Sequence, residues 1–348
     1  MSAQANPDVN ALREQYYQQI DRESMTPLWE VLHNVVTPEP ITPCVPHLWK
    51  WDVCRPWLEK AGELITAKEA ERRVLVLENP GLRGQIRVTH SLYAGLQLIL
   101  PGEVAPAHRH SQSALRFILE GSGAYTAVDG EKVTMNVGDF VITPSWAFHD
   151  HGNPSSEPMV WLDGLDVPIV ELFDAQFMER GAEESQHTGT DGAINLAEFG
   201  NTMKPVEYKP RSKTSPLFWY PYDRTREALE TMKRQSPQHD CWAFKLQYTN
   251  PVTGGWAMPT IGTFMQLMPA GFKGTSYRST DSTVYAVVEG KGRCVIGGTP
   301  FEFGPKDVFV VPSWMPYHFE IDGDDAVVFS FSDRPVQQSL DLWRERVG

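Results

Sequence analysis

Three histidines carry the chemistry of this sequence. His108 and His110 flank Arg109 in the run APAHRH, and His149 ends the run PSWAFH. On a strand, side chains two positions apart point the same way, so the 108 and 110 imidazoles enter one cavity. A third imidazole arriving from a later strand completes a facial set of neutral nitrogen ligands and leaves the opposite face of a divalent metal open. An isolated HxH is as readily a satisfied surface or core pair. Here it sits in a frame of Gly121, Gly138, Pro144 and Asn153 whose turns return the third histidine, and the three together read as a metal site. Continued parity puts residues 112, 114 and 116 on the same face, so Arg116 is expected to project into the cavity with the metal. A buried guanidinium without an anion costs several kcal/mol. Arg116 therefore pairs either with a protein carboxylate, as a structural ion pair, or with a substrate carboxylate that it clamps.

The elements that must position these groups are short. Apolar runs punctuated by turn residues fill about residues 72–172: RVLVL, GQIRVT, AGLQLIL, ALRFILEG, GAYTAV, FVITP and VWLDGL. Such spacing predicts an antiparallel barrel or jelly roll. The pattern returns from about residue 236 in QLMPAG, VYAVVEGKG, FVVPSW and AVVFSFS. The two regions are copies. Shifted by 168 positions, Pro101 meets Pro269, Asp139 meets Asp307, and Pro144-Ser145-Trp146 meets Pro312-Ser313-Trp314; with one inserted residue, Glu120-Gly121 meets Glu289-Gly290. The shared residues serve turns and packing, whereas the chemical ones are lost together. At the 168-residue shift His108, His110 and His149 become Ser276, Arg278 and Tyr317, and Arg116 becomes Val284. His318 lies one position off the frame and is read as structural. The second barrel is thus expected to keep its fold without a metal.

Outside the barrels, Leu12, Tyr16 and Ile20 recur at helical spacing, and Thr26-Pro27 offers an N-cap and a first-turn proline before LWEVLHNVV. PEPITPCVP is a proline-rich connector that regular helix or central strand excludes. The expected organisation is an N-terminal helical arm and linker over residues 1–60, a metal-binding barrel over 61–179, an interdomain segment over 180–235 and a second barrel over 236–348. A net charge of −13 excludes a nucleic-acid surface built on clustered cations. Four cysteines without CxxC spacing fit reduced core thiols rather than a zinc ribbon or a disulfide framework. No apolar run is long enough to span a bilayer, and MSAQANPDVN lacks the features of a secretory leader. A cytoplasmic location is the expectation.

Residues 102–121 and 138–153 resemble the two cupin motifs, so the fold implied is mainly β: a bicupin of two double-stranded β-helix (jelly-roll) barrels with an N-terminal helical arm. The second motif fits closely, with Trp146 where a glycine is usual. The first departs from the pattern, because the position of the common glutamate ligand is Ala114. Three-histidine coordination leaves a dication's charge unneutralised and favours an anionic, chelating substrate. The whole layout, with APAHRHSQSALRF and PSWAFHDHGN, resembles the gentisate 1,2-dioxygenase family, including salicylate and 1-hydroxy-2-naphthoate dioxygenases. That resemblance implies Fe(II), a small aromatic 2-hydroxy acid and dioxygen as partners, a homotetramer, and opening of gentisate to maleylpyruvate. Salicylate and 1-hydroxy-2-naphthoate are the alternative substrates. It also implies further site residues. His151 contacts substrate or oxygen, or is a surface loop histidine. Asp163 handles a proton, or is a turn aspartate; its counterpart at the 168-residue shift is Phe331. Arg72 contacts substrate, or is a surface charge beside Arg73. Tyr93 and Gln97 share a face with Gly95 between them leaving room for a ring, or belong to the core. A metal-dependent isomerase or decarboxylase would keep the glutamate that Ala114 replaces. A non-catalytic bicupin binding a small acid would commonly lose the histidines.

Overall fold

The computed structural model describes residues 7–191 and 194–348; residues 1–6 of the N-terminal stretch and 192–193 of the middle segment lie outside them. Residues up to Ile41 form one unit. It holds two helices, α1 (Pro7–Arg22) and α2 (Leu28–Val35). Tyr17 joins them: its hydroxyl accepts from Trp29 Nε1 at 2.8 Å and donates to Glu30 at 2.5 Å. Thr26 does not cap α2. Pro27 itself holds the N-cap position, with extended backbone and no side-chain cap bond.

The second unit runs from Thr42 to Gly348. After β1 (His47–Trp49) and helix α3 (Trp51–Leu64) come β2 (Val74–Val76), β3 (Tyr93–Ile99), β4 (Val104–His110), β5 (Ala114–Glu120), β6 (Tyr125–Val128) and β7 (Glu131–Thr134). Next are β8 (Phe140–Thr143), β9 (His149–Gly152), β10 (Met159–Leu165), β11 (Met178–Arg180), β12 (Thr190–Asp191) and β13 (Trp219–Tyr220). Two six-stranded sheets form from these, in the orders β13-β8-β5-β10-β3-β2 and β11-β4-β9-β6-β7-β12. The stretch GQIRVT is not a strand. Gly84 and Ile86 both take positive φ (81° and 55°), which breaks an extended run.

A second pair of sheets repeats the plan. Its strands are β14 (Phe244–Gln247), β15 (Gly262–Met268), β16 (Tyr277–Ser279), β17 (Thr283–Glu289), β18 (Gly292–Ile296) and β19 (Thr299–Phe303). β20 (Val308–Val311), β21 (Tyr317–Glu320), β22 (Ala326–Ser332) and β23 (Glu345–Val347) complete it. The orders are β1-β20-β17-β22-β15-β14 and β19-β18-β21-β16-β23. β1 therefore completes a sheet of the distant second barrel, pairing Leu48 with Phe309. β11, β12 and β13 likewise extend sheets of the first. Among the described residues no helix is long and apolar enough to cross a membrane.

The two barrels share a core. Phe117 of β5 stacks on Phe329 of β22 with ring centres 4.2 Å apart and planes within 3°, and Phe140 of β8 adds a tilted ring at 5.6 Å. Gly164 is needed here, because a Cβ would lie 2.8 Å from the Phe331 ring. All these residues are buried, so the barrels are joined by apolar contact of the kind found inside a domain. Phe329→Ala removes the central ring of this contact. It should destabilise the protein by about 3–5 kcal/mol, read as a lower urea midpoint, and an unchanged midpoint would place the joint elsewhere.

Candidate metal centre and substrate cavity

The metal-binding geometry depends on a bulge. Along the β4–β9 pair, Ala105 faces His151, but His108 rather than Ala107 faces His149. The extra residue falls at Pro106-Ala107. Proline has no N–H to give the ladder, and the Ala107 N–H leaves it to reach Glu184 O at 2.9 Å. Paired residues share a face of a sheet, so the bulge brings His108 onto the side of His149 and His151. The ligand atoms of His108, His110 and His149 lie within 4.8 Å of one another, and this is the three-histidine group found among the described residues.

Backbone carbonyls orient the rings. His110 Nδ1 lies 2.8 Å from Gln112 O, and His149 Nδ1 lies 3.0 Å from Ala147 O. Donating there keeps the proton on Nδ1 and leaves the Nε2 lone pair for a metal. His108 Nδ1 sits between Pro106 O at 3.3 Å and Arg72 Nη2 at 2.8 Å. Burial, with the arginines beside them, pushes His108 down to about 3, His110 down to about 4 and His149 well below its ordinary range. All three are therefore neutral near pH 7, the form that ligates metal. Trp146 N–H donates to His110 O at 2.8 Å from a residue with φ of 63°, the turn where glycine is usual. Arg109 packs over the Trp146 and Phe148 rings, 4.6 Å from each.

The opposite sheet supplies the other groups. Register across it aligns Gly95, Asp163, Arg116 and Val141 on four adjacent strands, and Gln97 with Trp161 one pair further on. Arg116 is 3% exposed; its Nη1 donates to Thr143 Oγ1 at 2.5 Å and its Nε lies 3.7 Å from Asp163. Asp163 also accepts from Trp161 Nε1 at 3.0 Å, and burial pushes its carboxyl up to about 6. His151 is wholly buried, packs on the Trp161 edge, and neither ring nitrogen has a partner. Arg116 Nε has no hydrogen-bond partner either. Arg72 reaches Pro106 O and His108, and burial with Arg116 nearby lowers it to about 9. Tyr93, Gly95 and Gln97 do share a face. Gly95 is required by its neighbours, however, since a Cβ would lie 2.5 Å from Val74 and 2.8 Å from the Tyr93 hydroxyl.

Two expectations need correction. The single strand assumed over 108–116 is two strands, β4 and β5, with residues 111–113 between them, so parity does not run through. Arg116 nevertheless reaches the cavity, because β5 belongs to the facing sheet. The uniform 168-residue shift is also one position out on several strands. Register pairs Tyr277 with Tyr317 as it pairs His108 with His149, and Tyr285 with Ser330 as it pairs Arg116 with Asp163. The counterparts of His108, His110, Arg116 and Asp163 are therefore Tyr277, Ser279, Tyr285 and Ser330, not Ser276, Arg278, Val284 and Phe331. The second copy is one residue ahead of that shift on the strands of His108, His110 and Arg116 and one residue behind it on the strand of Asp163. Of the alternatives left open, the structure removes two: His151 is not a surface loop histidine, and Asp163 is not in a turn. Thr143 and Trp161 escaped the sequence reading, although Trp161 lies two residues from Asp163 on its strand.

Known proteins agree with this architecture. The cupin domain family matches residues 95–166 and 263–332. Gentisate 1,2 dioxygenase 1 of Aquipseudomonas alcaligenes is 55% identical over 99% of both chains. Gentisate 1,2-dioxygenase of a Streptomyces species is 36% identical over 97% of this chain and 96% of its own. Salicylate 1,2-dioxygenase of Pseudoaminobacter salicylatoxidans, solved as an adduct with gentisate, superposes with a TM-score of 0.91 at 34% identity, covering 100% of this chain and 96% of that one.

Replacing His108, His110 or His149 by Ala should remove bound metal, measured by elemental analysis of purified protein. Tyr277→Phe and Tyr317→Phe should leave metal content unchanged; loss of metal there would mean a second centre.

Proposed function

We propose that this chain, which belongs to the gentisate 1,2-dioxygenase family of two-cupin ring-cleaving dioxygenases, opens gentisate between its carboxyl-bearing and adjacent hydroxyl-bearing carbons. One dioxygen is consumed and maleylpyruvate is the product. Fe(II) is the metal, held by His108, His110 and His149, and no carboxylate joins them because Ala114 stands where other cupins place glutamate. When bound, the iron supplies a Lewis acid with open positions for the oxygens of a 2-hydroxy acid and for dioxygen, and a path for electrons between them.

One observation carries the reading. Neutral histidines converge on the face of one sheet, while His151 and Arg116 nearby keep buried polar atoms without partners. Buried polar groups are satisfied in working proteins, and an anionic substrate with adjacent oxygens satisfies these. Arg116 clamps the carboxylate, its guanidinium already oriented by Thr143 and Asp163. His151 hydrogen-bonds the substrate or oxygen from the metal's own sheet. Asp163 accepts the proton that the substrate hydroxyl gives up on binding. Arg72 adds a second positive charge beside His108, held there by the carbonyls of Glu71 and Pro106. Tyr93 and Gln97 form the wall against the ring. The proposed form in the cell is a cytoplasmic homotetramer, checked by light scattering of purified protein.

Protein loaded anaerobically with Fe(II) should take up dioxygen and gentisate in equal molar amounts on an oxygen electrode, faster than with salicylate or 1-hydroxy-2-naphthoate. Silence toward all three acids would sink the assignment. Arg116→Ala should raise KM about 10- to 100-fold, the worth of a charged hydrogen bond. For Asp163 the sign follows from burial: its proton stays on below about pH 6, so kcat/KM should fall as pH drops through that value. Asp163→Asn should be slow and lack this acid limb; a limb retained in the variant assigns it to another group.

A further inference from the structure

The second barrel also contains a pocket, of about 160 Å³, lined by Trp242, Lys245, Gln247, Phe264, Tyr277 and Arg334. Its position follows from register. Lys245 pairs with Gln266 as Val74 pairs with Gln97, so both side chains occupy the face that lines the substrate cavity in the first barrel. Phe264 stands where Gly95 stands there, filling that space with a ring.

The charges in this pocket are not balanced. Lys245 Nζ lies 4.5 Å from the centre of the Phe264 ring, and no carboxylate or carbonyl accepts from it among the described residues. Arg334 lies 5.3 Å from the same ring. Asp281 is engaged by Arg334 at 3.2 Å and by Trp343 at 2.9 Å, and Glu345 accepts from Tyr277 at 2.8 Å. The nearby anions are thus occupied, and Lys245 is left over. Beside it, Gln266 is 1% exposed with neither amide atom hydrogen-bonded. An amine without a partner, an unsatisfied buried amide and aromatic walls are what recognise a carboxylic acid carried on a flat apolar body. Pockets for larger ligands run from about 300 Å³ upward, so this one suits a single ring or its equivalent.

We propose that the second barrel binds a small organic acid through Lys245 and Gln266, at a site separate from the three-histidine centre. Burial and the Arg334 charge hold Lys245 down to about 7, and a bound anion would restore its proton. The site goes beyond the ring-opening reaction and stands whether or not gentisate is the substrate. Either an aromatic acid or a ring-opened dicarboxylate has the required chemistry.

Equilibrium dialysis of the iron-loaded enzyme under nitrogen, with labelled benzoate and separately with labelled maleate, distinguishes them. The wild type should bind one acid in the second barrel in addition to any in the first. Lys245→Met should weaken that one event about 10-fold or more and leave the other. Arg116→Ala should do the reverse, so failure of the first site is seen separately. Should Lys245→Met not fold, Gln247→Trp blocks the pocket from an exposed position. Loss of benzoate binding in these variants identifies an aromatic acid, and loss of maleate binding a dicarboxylate. If neither variant changes the binding of either probe, the pocket is not a site.

Discussion

The β-bulge at Pro106-Ala107 sets the orientation on which the candidate centre depends. A strand alternates its side chains without exception, so a regular β4 would present Ala107 opposite His149 and turn His108 and His110 to the other face. One extra residue reverses that alternation locally. Proline supplies the means, since it withholds an N–H from the ladder, and the segment near Glu184 accepts the N–H that Ala107 turns outward. The three imidazoles then converge, and carbonyls of Gln112 and Ala147 point two of their lone pairs inward.

Around that convergence the charges are arranged by layer. One sheet turns His108, His110, His149 and His151 to a common face, while the facing sheet holds Arg116 and Asp163 as neighbours in register. Placing two arginines beside three histidines is costly unless anions offset them, and Asp163 lies 3.7 Å from the Arg116 Nε. Burial, with the same arginines beside them, keeps the histidines unprotonated. Holding a metal and meeting the anionic substrate proposed above would thus draw on one electrostatic arrangement.

The second barrel shows what the same backbone does without that requirement. Tyr277, Ser279 and Tyr317 stand where the ligands do, and Tyr285 and Tyr317 join their hydroxyls at 2.8 Å where the first barrel has an arginine and a histidine. Trp146 and Trp314 keep the same left-handed turn in both copies, with φ of 63° and 60°. Turn geometry has outlasted chemistry, because the backbone needs the turn in either barrel.

Much of this was legible in the sequence, for reasons that can be named. Residue type and spacing suffice for the repeat, for the HxH with its third histidine, and for His149 and His151 sharing a face, because these depend on local alternation and on turns. Local alternation failed where a strand ended or bulged. Arg116 was placed in the cavity by a parity that does not exist, and its true route there is through the facing sheet. The counterparts in the second copy slipped by one for the same reason: an insertion moves a register that only cross-strand hydrogen bonds reveal. Whether His151 and Asp163 are buried, that Gly95 is held by Val74 and Tyr93, and that β1 completes the far barrel were decided by tertiary structure alone. Each is a contact between residues distant in sequence, and no local spacing encodes it.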